Sequence, residues 1–365
     1  MTRADSPARR FAWLGKDEAE GLRRTFRRLL QGEDVDHGLA VVADHAARHP
    51  DHPMVRWLAA WGPAVARDWA AGPPPPPFDP AAEDTAPQAA DLDLAVCFVA
   101  RPPGMTSDPA AGPPPDAAAY HALIRGCFAA ARAAAPAMRR VLLTNRATAL
   151  PDALGADLVV RAEIAPERLM PDRLRAYRDP LAATDRAGAV FVDPDVVVCR
   201  SPETAFHAPF SVGLTWRRGY PAMPINSGVL FARATPGAAW ILDRALACHD
   251  AIAGDRALAA AFARLHGVAL PAWYGDQVAL AALAGWRRFR GTASPEPRRF
   301  GPGATLAFLP EDPFNLAVDP DAVPPAAELR RRVLVHFKGN AKGGARRLVD
   351  DILGAGAVDA GPATG

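Results

Sequence analysis

The sequence predicts an α/β fold in which a mostly parallel sheet is covered by helices on both faces and preceded by a small helical appendage. From residue 92 onward, short apolar runs alternate with Ala-rich helical stretches, a pattern typical of parallel strands that are buried on both faces. A proline-rich stretch separates these runs from an N-terminal region with helical periodicity. The chain has 365 residues, enough for one large domain and a small one.

The N-terminal residues 1–71 are predicted to be helical, because apolar positions recur at i, i+3 and i+4 between residues 18 and 70. Residues 46–61 resemble a tetratricopeptide-type junction, although one junction is weak evidence for a repeat array. This appendage is a candidate surface for a protein partner. Residues 72–91 contain a run of prolines and are interpreted as a semi-rigid linker.

The predicted domain spans residues 92–352 and is followed by a flexible tail over 353–365. Its first elements, in order, are a strand at 94–100, a helix at 120–135, a strand ending at Asn145, a strand at 157–164, a helix at 166–186 and a strand ending at Asp193. In such sheets ligands bind beyond the carboxyl ends of the strands. The loops at 101–104, 144–146 and 193–195 are therefore expected to share one crevice.

Composition excludes several classes of protein. The formal net charge of +2 gives no electrostatic footprint for nucleic acid. The four cysteines stand far apart without zinc-type spacing, as expected of free thiols in a reducing compartment. The first residues lack the apolar core of a signal peptide, and no stretch has the length of a membrane span. We therefore expect a cytoplasmic protein that is not an integral membrane protein.

Two carboxylates interrupt the apolar run at residues 189–199. Pro194 has no N–H for a sheet ladder, so Asp193 and Asp195 should lie where the strand ends. Side chains at i and i+2 of extended backbone point the same way, and two carboxylates so close suit Mg²⁺ or Mn²⁺. Taken alone, a tight turn explains the same residues.

Two further polar groups precede apolar segments. Asn226, Ser227 and Gly228 stand just before an apolar strand, where they can bind hydroxyls or form an ordinary turn. Asp276 and Gln277 open a helix, where a carboxylate can also serve as a cap.

The segment at 333–344 runs from an apolar strand into a glycine-rich loop with His336, Lys338, Gly339 and Lys342. Of 42 basic residues only three are lysines, and two of them are in this loop. Histidine can ligate a metal, lysine can bind a diphosphate, and glycine lets backbone approach phosphate. The alternative is a solvated turn.

The ordered series V-F-V-D-P-D, P-I-N-S-G, G-D-Q, F-L-P-E-D-P-F-N and H-F-K-G-N-A-K resembles the GT-A-fold glycosyltransferases, most closely glycosyltransferase family 8, over about residues 92–350. The resemblance implies a Rossmann-like mixed sheet flanked by helices, as in nucleotide-diphospho-sugar transferases. It also implies transfer of a sugar from a nucleotide sugar, expected to be a UDP-sugar, with Mn²⁺ or Mg²⁺ as cofactor. The acceptor, whether a glycan, a lipid or a protein, is not specified.

The resemblance also implies roles for individual residues. Asp193, Asp195 and His336 match the metal ligands. Lys342, with Gly339 between it and the histidine, matches the diphosphate-binding segment, while Asn226, Ser227, Asp276 and Gln277 match elements beside the donor sugar. To nucleotide binding we further assign Ala100, Arg101, Asn145 and Lys338. Gly343 and Gly344 replace the Pro-Trp pair that follows the family's lysine.

Family resemblance implies retention at the anomeric carbon, but Asp276 could instead serve as a base for an inverting attack. Two alternatives to sugar transfer stay open. One is a sugar-1-phosphate nucleotidyltransferase, and the other is a catalytically silent interaction module. The Arg-rich segment at 166–179 could face an anionic acceptor or solvent, and solvent is the expectation. Arg173 and Arg178 are the members to test near the crevice.

Overall fold

Strands and helices alternate from Leu92 onward, which confirms the predicted α/β class. The structure is a computed structural model that describes residues 21, 25, 35–50, 86–101, 116–218, 224–254, 275–284, 295–300 and 303–359. Most of the predicted N-terminal helical region (residues 1–20, 22–24, 26–34 and 51–71), the linker residues 72–85, the loop at 102–104 and the last six residues lie outside this part.

The strands are β1 Leu92–Cys97, β2 Arg139–Thr144, β3 Leu158–Arg161, β4 Gly188–Val192, β5 Val196–Val198, β6 Val212–Trp216, β7 Ile225–Arg233, β8 Arg298–Phe300, β9 Ala304–Pro310, β10 Leu316–Ala317 and β11 Leu334–His336. The helices are α1 Val35–Arg48, α2 Ala117–Ala134, α3 Leu169–Ala183, α4 Pro236–Ala253, α5 Gly275–Ala284, α6 Glu311–Phe314, α7 Ala326–Leu329 and α8 Lys342–Asp359. Short 3₁₀ turns are Ala89–Asp91, Pro166–Arg168, Pro202–His207 and Gly339–Ala341.

The described strands form an eight-stranded sheet in the order β3-β2-β1-β4-β7-β6-β9-β8 and a three-stranded sheet in the order β10-β11-β5. In the large sheet, β3-β2, β2-β1, β1-β4 and β6-β9 are parallel. The pairs β4-β7, β6-β7 and β8-β9 are antiparallel. The sheet is therefore mixed, as the family resemblance implies, and less parallel than the strand pattern alone indicated.

Helices cover both faces of the large sheet, which explains why its central strands are continuously apolar. In β1, Ala95 and Cys97 join one buried cluster, which includes α3, α4 and α5. Leu94 and Val96 point the other way, into a cluster with α2. A third cluster joins the small sheet to α8.

The break at Asp193–Asp195 is the place where the chain leaves one sheet for the other. β4 ends in the large sheet and β5 belongs to the small one. Val196 donates its N–H to the carbonyl of Asp193 at 3.1 Å, so the segment is also a tight turn. Pro194 fits here because its position requires no ladder hydrogen bond.

Both ends of the chain have helices in the described part. The helix α1 lies in the region predicted to be helical. At the other end, α8 continues through Asp359, so the boundary predicted at residue 352 falls inside a helix. None of the described helices has the length and apolarity needed to cross a membrane.

Candidate active site

Strand register brings together carboxylates and a histidine that are distant in sequence. Val192 pairs with Val229 across β4 and β7, and the next residue, Asp193, donates its N–H to the carbonyl of Gly228 at 2.8 Å. In the small sheet His336 pairs with Val196. Phe337 then donates its N–H to the carbonyl of Asp195 at 2.9 Å. The two sheets thus meet at the strand ends that carry Asp193, Asp195 and His336.

Asp193, Asp195 and His336 form a cluster with metal-ligating atoms. One atom from each lies within 4.8 Å of the other two. His336 Nε2 is 3.2 Å from Asp195 Oδ1 and 3.7 Å from Asp193 Oδ2. Two carboxylates and an imidazole are a suitable donor set for a divalent ion such as Mn²⁺, so the residues present fit the metal that the sequence predicts.

Lys342 lies at the first turn of α8, next to this cluster. Its Nζ is 3.4 Å from Asp195 Oδ2, 3.4 Å from the hydroxyl of Tyr120 and 5.0 Å from the centre of that ring. Burial disfavours the charged form of Asp195, but His336 and Lys342 outweigh it and lower the pKa of that carboxyl. Burial likewise opposes the charge on Lys342, while Asp195 raises the pKa of the ammonium above its ordinary value.

Arg173 is buried at the centre of the site, which corrects the expectation that its segment faces solvent. Its guanidinium pairs with the fully buried carboxylate of Asp276 and, at 2.7 Å, with Asp193 Oδ1. It also donates to Ser227 Oγ at 2.6 Å. Burial opposes the guanidinium charge, yet the net effect of Asp276 and its other neighbours is to raise the pKa of Arg173.

Arg178, the other arginine singled out in that segment, lies away from the cluster. It pairs with Asp179 and with Asp243 of α4. Arg173 shares a buried face of α3 with Met170 and Tyr177. The i, i+3, i+7 spacing of these three residues in the sequence indicates this shared face.

Asn226, Ser227 and Gly228 lie inside β7, which corrects the prediction that they precede a strand. The register between β6 and β7 shifts here, because Leu214 pairs with Leu230 whereas Thr215 pairs with Asn226. Residues 227–229 therefore bulge out of this ladder, and bulges next to active sites commonly redirect side chains. In this case the bulge turns Ser227 towards Arg173.

Two buried oxygen atoms of the predicted D-Q element have no hydrogen-bond partner within the described part of the chain. They are Asp276 Oδ1 and Gln277 Oε1. Asp276 is fully buried and Gln277 is 9% exposed. Buried acceptors of this kind are uncommon without a partner, and a ligand rich in hydroxyl donors would satisfy them.

Glu311 contacts Asn226, and Lys338 is close enough to Glu311, Asp193 and Asp195 for their charges to affect its pKa. Glu311 Oε1 accepts from Asn226 Nδ2 at 3.1 Å and lies 3.5 Å from Arg217 Nε. Burial, reinforced by Arg217, lowers the pKa of Lys338 to about 7. Gly339 has a φ of 53°, a left-handed conformation that favours glycine, and it starts the turn that leads into α8.

The residues predicted at the ends of β1 and β2 form a separate network. Asn145 is buried, donates to the carbonyl of Ile164 at 2.9 Å and accepts from the hydroxyl of Thr148 at 2.7 Å. The hydroxyl oxygen of Thr148 accepts a hydrogen bond from the N–H of Ala100 at 3.0 Å. The side chain of Asn145 thus holds two loops together, and its hydrogen bonds within the described part of the chain are to residues outside the metal cluster. Burial lowers the pKa of Arg101, and Tyr120 opposes this effect.

No family model and no curated protein matches the chain. Solved structures that are similar to it include the glycosyltransferase GlyE of Streptococcus pneumoniae TIGR4, with 14% identity and a TM-score of 0.41 over 73% of this chain. The galactosyltransferase LgtC, solved with donor and acceptor sugar analogues, has 15% identity and a TM-score of 0.37 over 72% of this chain. A glycosyltransferase involved in glycosylation of the major capsid of PBCV-1 has 12% identity and a TM-score of 0.37 over 71%.

The chain spans 64% of the length of GlyE, 95% of LgtC and 99% of the PBCV-1 enzyme. At these identities, the functional case depends on the chemistry of the site itself.

Proposed function

We propose that the protein is a metal-dependent glycosyltransferase that moves a sugar from a nucleotide-diphosphate sugar, with UDP as the expected nucleotide, to a hydroxyl acceptor. The observation that carries the proposal is the juxtaposition of Asp193, Asp195 and His336 with Lys342. This arrangement provides a divalent-metal donor set beside a cation suited to a diphosphate.

The remaining site residues have the chemistry to bind the donor sugar. Asp276 Oδ1 and Gln277 Oε1 are buried acceptors without partners in the described residues, and sugar hydroxyls are donors. Arg173 fixes the Asp276 carboxylate through its guanidinium. Ser227 contacts Arg173, and Asn226 contacts Glu311. We assign both residues to the donor-sugar site.

In the proposed reaction the bond between the anomeric carbon and the diphosphate oxygen breaks, and its electron pair leaves with the diphosphate. The acceptor oxygen bonds to the anomeric carbon, and its proton passes to the oxygen of the departing diphosphate. Asp193, Asp195 and His336 would hold a divalent ion, whose charge would stabilise the leaving diphosphate. Lys342 adds a second positive charge there. We favour retention at the anomeric carbon on the family resemblance alone.

Thermal stability tests the proposal directly. We expect UDP or a UDP-sugar to raise the unfolding temperature only when Mn²⁺ is present, because ligands that bind the native state stabilise it, by about 2.7 kcal/mol at 100 times Kd. Other nucleoside diphosphates and their sugars form the comparison panel. Failure of every nucleotide to shift the transition with Mn²⁺ would favour the silent interaction module.

The matched variants are Asp193→Ala and Asp185→Ala. The first is expected to abolish the metal-dependent shift without unfolding the protein. The second removes an exposed carboxylate before β4, at the opposite end of the strand, and should retain the shift. An unchanged shift in Asp193→Ala would refute the metal assignment.

Pyrophosphate release from a nucleoside triphosphate and a sugar-1-phosphate would instead favour the nucleotidyltransferase.

A further inference from the structure

The side chain of Asn315 contacts both the metal cluster and the bulged strand. Asn315 is fully buried and follows the short helix α6. Its Oδ1 lies 3.0 Å from His336 Nδ1. Its Nδ2 lies 2.7 Å from Thr215 Oγ1 and 3.1 Å from the carbonyl oxygen of Asn226.

These contacts allow only one orientation of the Asn315 amide. A backbone carbonyl can only accept a hydrogen bond, so the amide atom facing the Asn226 carbonyl must be the NH₂ group. Thr215 Oγ1 donates its own hydrogen to that carbonyl at 2.8 Å, which leaves a lone pair to accept from Asn315. The oxygen of the Asn315 amide must therefore face His336.

The orientation of Asn315 in turn selects the tautomer of His336. Because Asn315 Oδ1 can only accept, His336 Nδ1 must carry the hydrogen. In the neutral ring Nε2 then has a lone pair, and this lone pair points at the two Asp carboxylates. Metal-bound histidines typically donate their second ring N–H to such a partner, and loss of that partner commonly costs 10–100-fold in metal affinity.

We infer that Asn315 is a positioning residue that fixes His336 as the Nδ1–H tautomer, with Thr215 holding Asn315 in place. The inference rests on the proposed function for its biological meaning, since it concerns the metal of the sugar-transfer site. Asn315 itself does not touch the metal, the donor or the acceptor. Its effect passes through the imidazole ring.

The test uses Asn315→Leu in the full chain without metal. Nitrogen-15 spectra of histidine-labelled protein, recorded at about pH 8.5, well above the pKa of an unperturbed histidine, report which ring nitrogen is protonated. The signal of His336 is the one that His336→Gln removes. We expect wild type to show the Nδ1–H form and Asn315→Leu to shift towards Nε2–H. Retention of the Nδ1–H form in Asn315→Leu would overturn the inference.

Titration with Mn²⁺ alone provides the second readout. Asn315→Leu should bind Mn²⁺ about 10–100-fold more weakly than wild type, and Thr215→Val should show a smaller loss. Thr148→Val is the matched control, because it removes another buried, hydrogen-bonded hydroxyl whose partners are Asn145 and Ala100. Equal Mn²⁺ affinity in wild type and Asn315→Leu would overturn the inference. Failure of wild type to bind Mn²⁺ would instead count against the proposed function, and the tautomer result would still decide the role of Asn315.

Discussion

Replacing Arg173 with methionine is expected to lower the free energy of unfolding by about 3–5 kcal/mol, the cost of leaving a buried charge without its partner. The partner is Asp276, whose side chain is fully buried and whose Oδ2 accepts from Arg173 Nε at 2.9 Å. Asp193 is less affected because its side chain is 28% exposed and water can solvate it. Urea unfolding measures the change.

A second substitution distinguishes a charge effect from a packing effect. In the Arg173→Met background, Asp276→Asn removes the unpaired charge while nearly preserving volume, so the double variant should recover most of the lost stability. Arg175→Met is the control on the same helix. Its partner Asp172 lies at 3.8 Å and its own side chain is 39% exposed, so the expected change is below about 1 kcal/mol. Additive losses in the double variant would contradict the paired-charge account.

The local parts of the site could be predicted from sequence because each has a short-range signal. Asp193 and Asp195 interrupt an apolar run at a proline, and Lys338 and Lys342 stand out in a chain with so few lysines. The alternation of apolar strands and helices likewise predicted the α/β class. These features depend on residues a few positions apart.

The rest of the site depends on long-range pairing that no local pattern encodes. Arg173 and Asp276 are 103 positions apart, and the packing of α3 against α5 brings them together. The N-S-G element has the composition of a turn, but pairing on both edges of β7 keeps it within a strand as a bulge. Asn315 is the last residue of the F-L-P-E-D-P-F-N motif, but its contact with His336 follows from the parallel pairing of β10 with β11.

Gly228 lies against the metal cluster, and the substitution Gly228→Ala is expected to displace it. An added Cβ would lie 2.1 Å from His336 Cε1, 2.6 Å from His336 Nδ1 and 2.9 Å from Asp193 Oδ2. Positive φ values among the described glycines occur at Gly155 and Gly339, so the effect at Gly228 is one of space. The imidazole must move, because the backbone on both sides is fixed by strand pairing.

Moving the imidazole breaks its hydrogen bond to Asn315 and carries Nε2 away from the carboxylates. We therefore expect Mn²⁺ affinity to fall by about 100-fold or more, at or beyond the upper end of what loss of a ligand's supporting contact costs. Overpacking should also lower stability by about 1–3 kcal/mol. Isothermal titration with Mn²⁺ and urea unfolding measure the two effects separately.

Gly354→Ala is the matched control for this substitution. It adds the same methyl group to an exposed position of α8 with nothing within 4 Å of the new Cβ, so Mn²⁺ affinity should be unchanged and stability equal or slightly higher. Wild-type Mn²⁺ affinity in Gly228→Ala would mean that His336 does not ligate the metal from the position that strand pairing gives it. A loss of Mn²⁺ affinity in Gly228→Ala but not in Gly354→Ala would show that the bulge in β7 makes room for His336. It would also explain why the residue opposite Asp193 is a glycine.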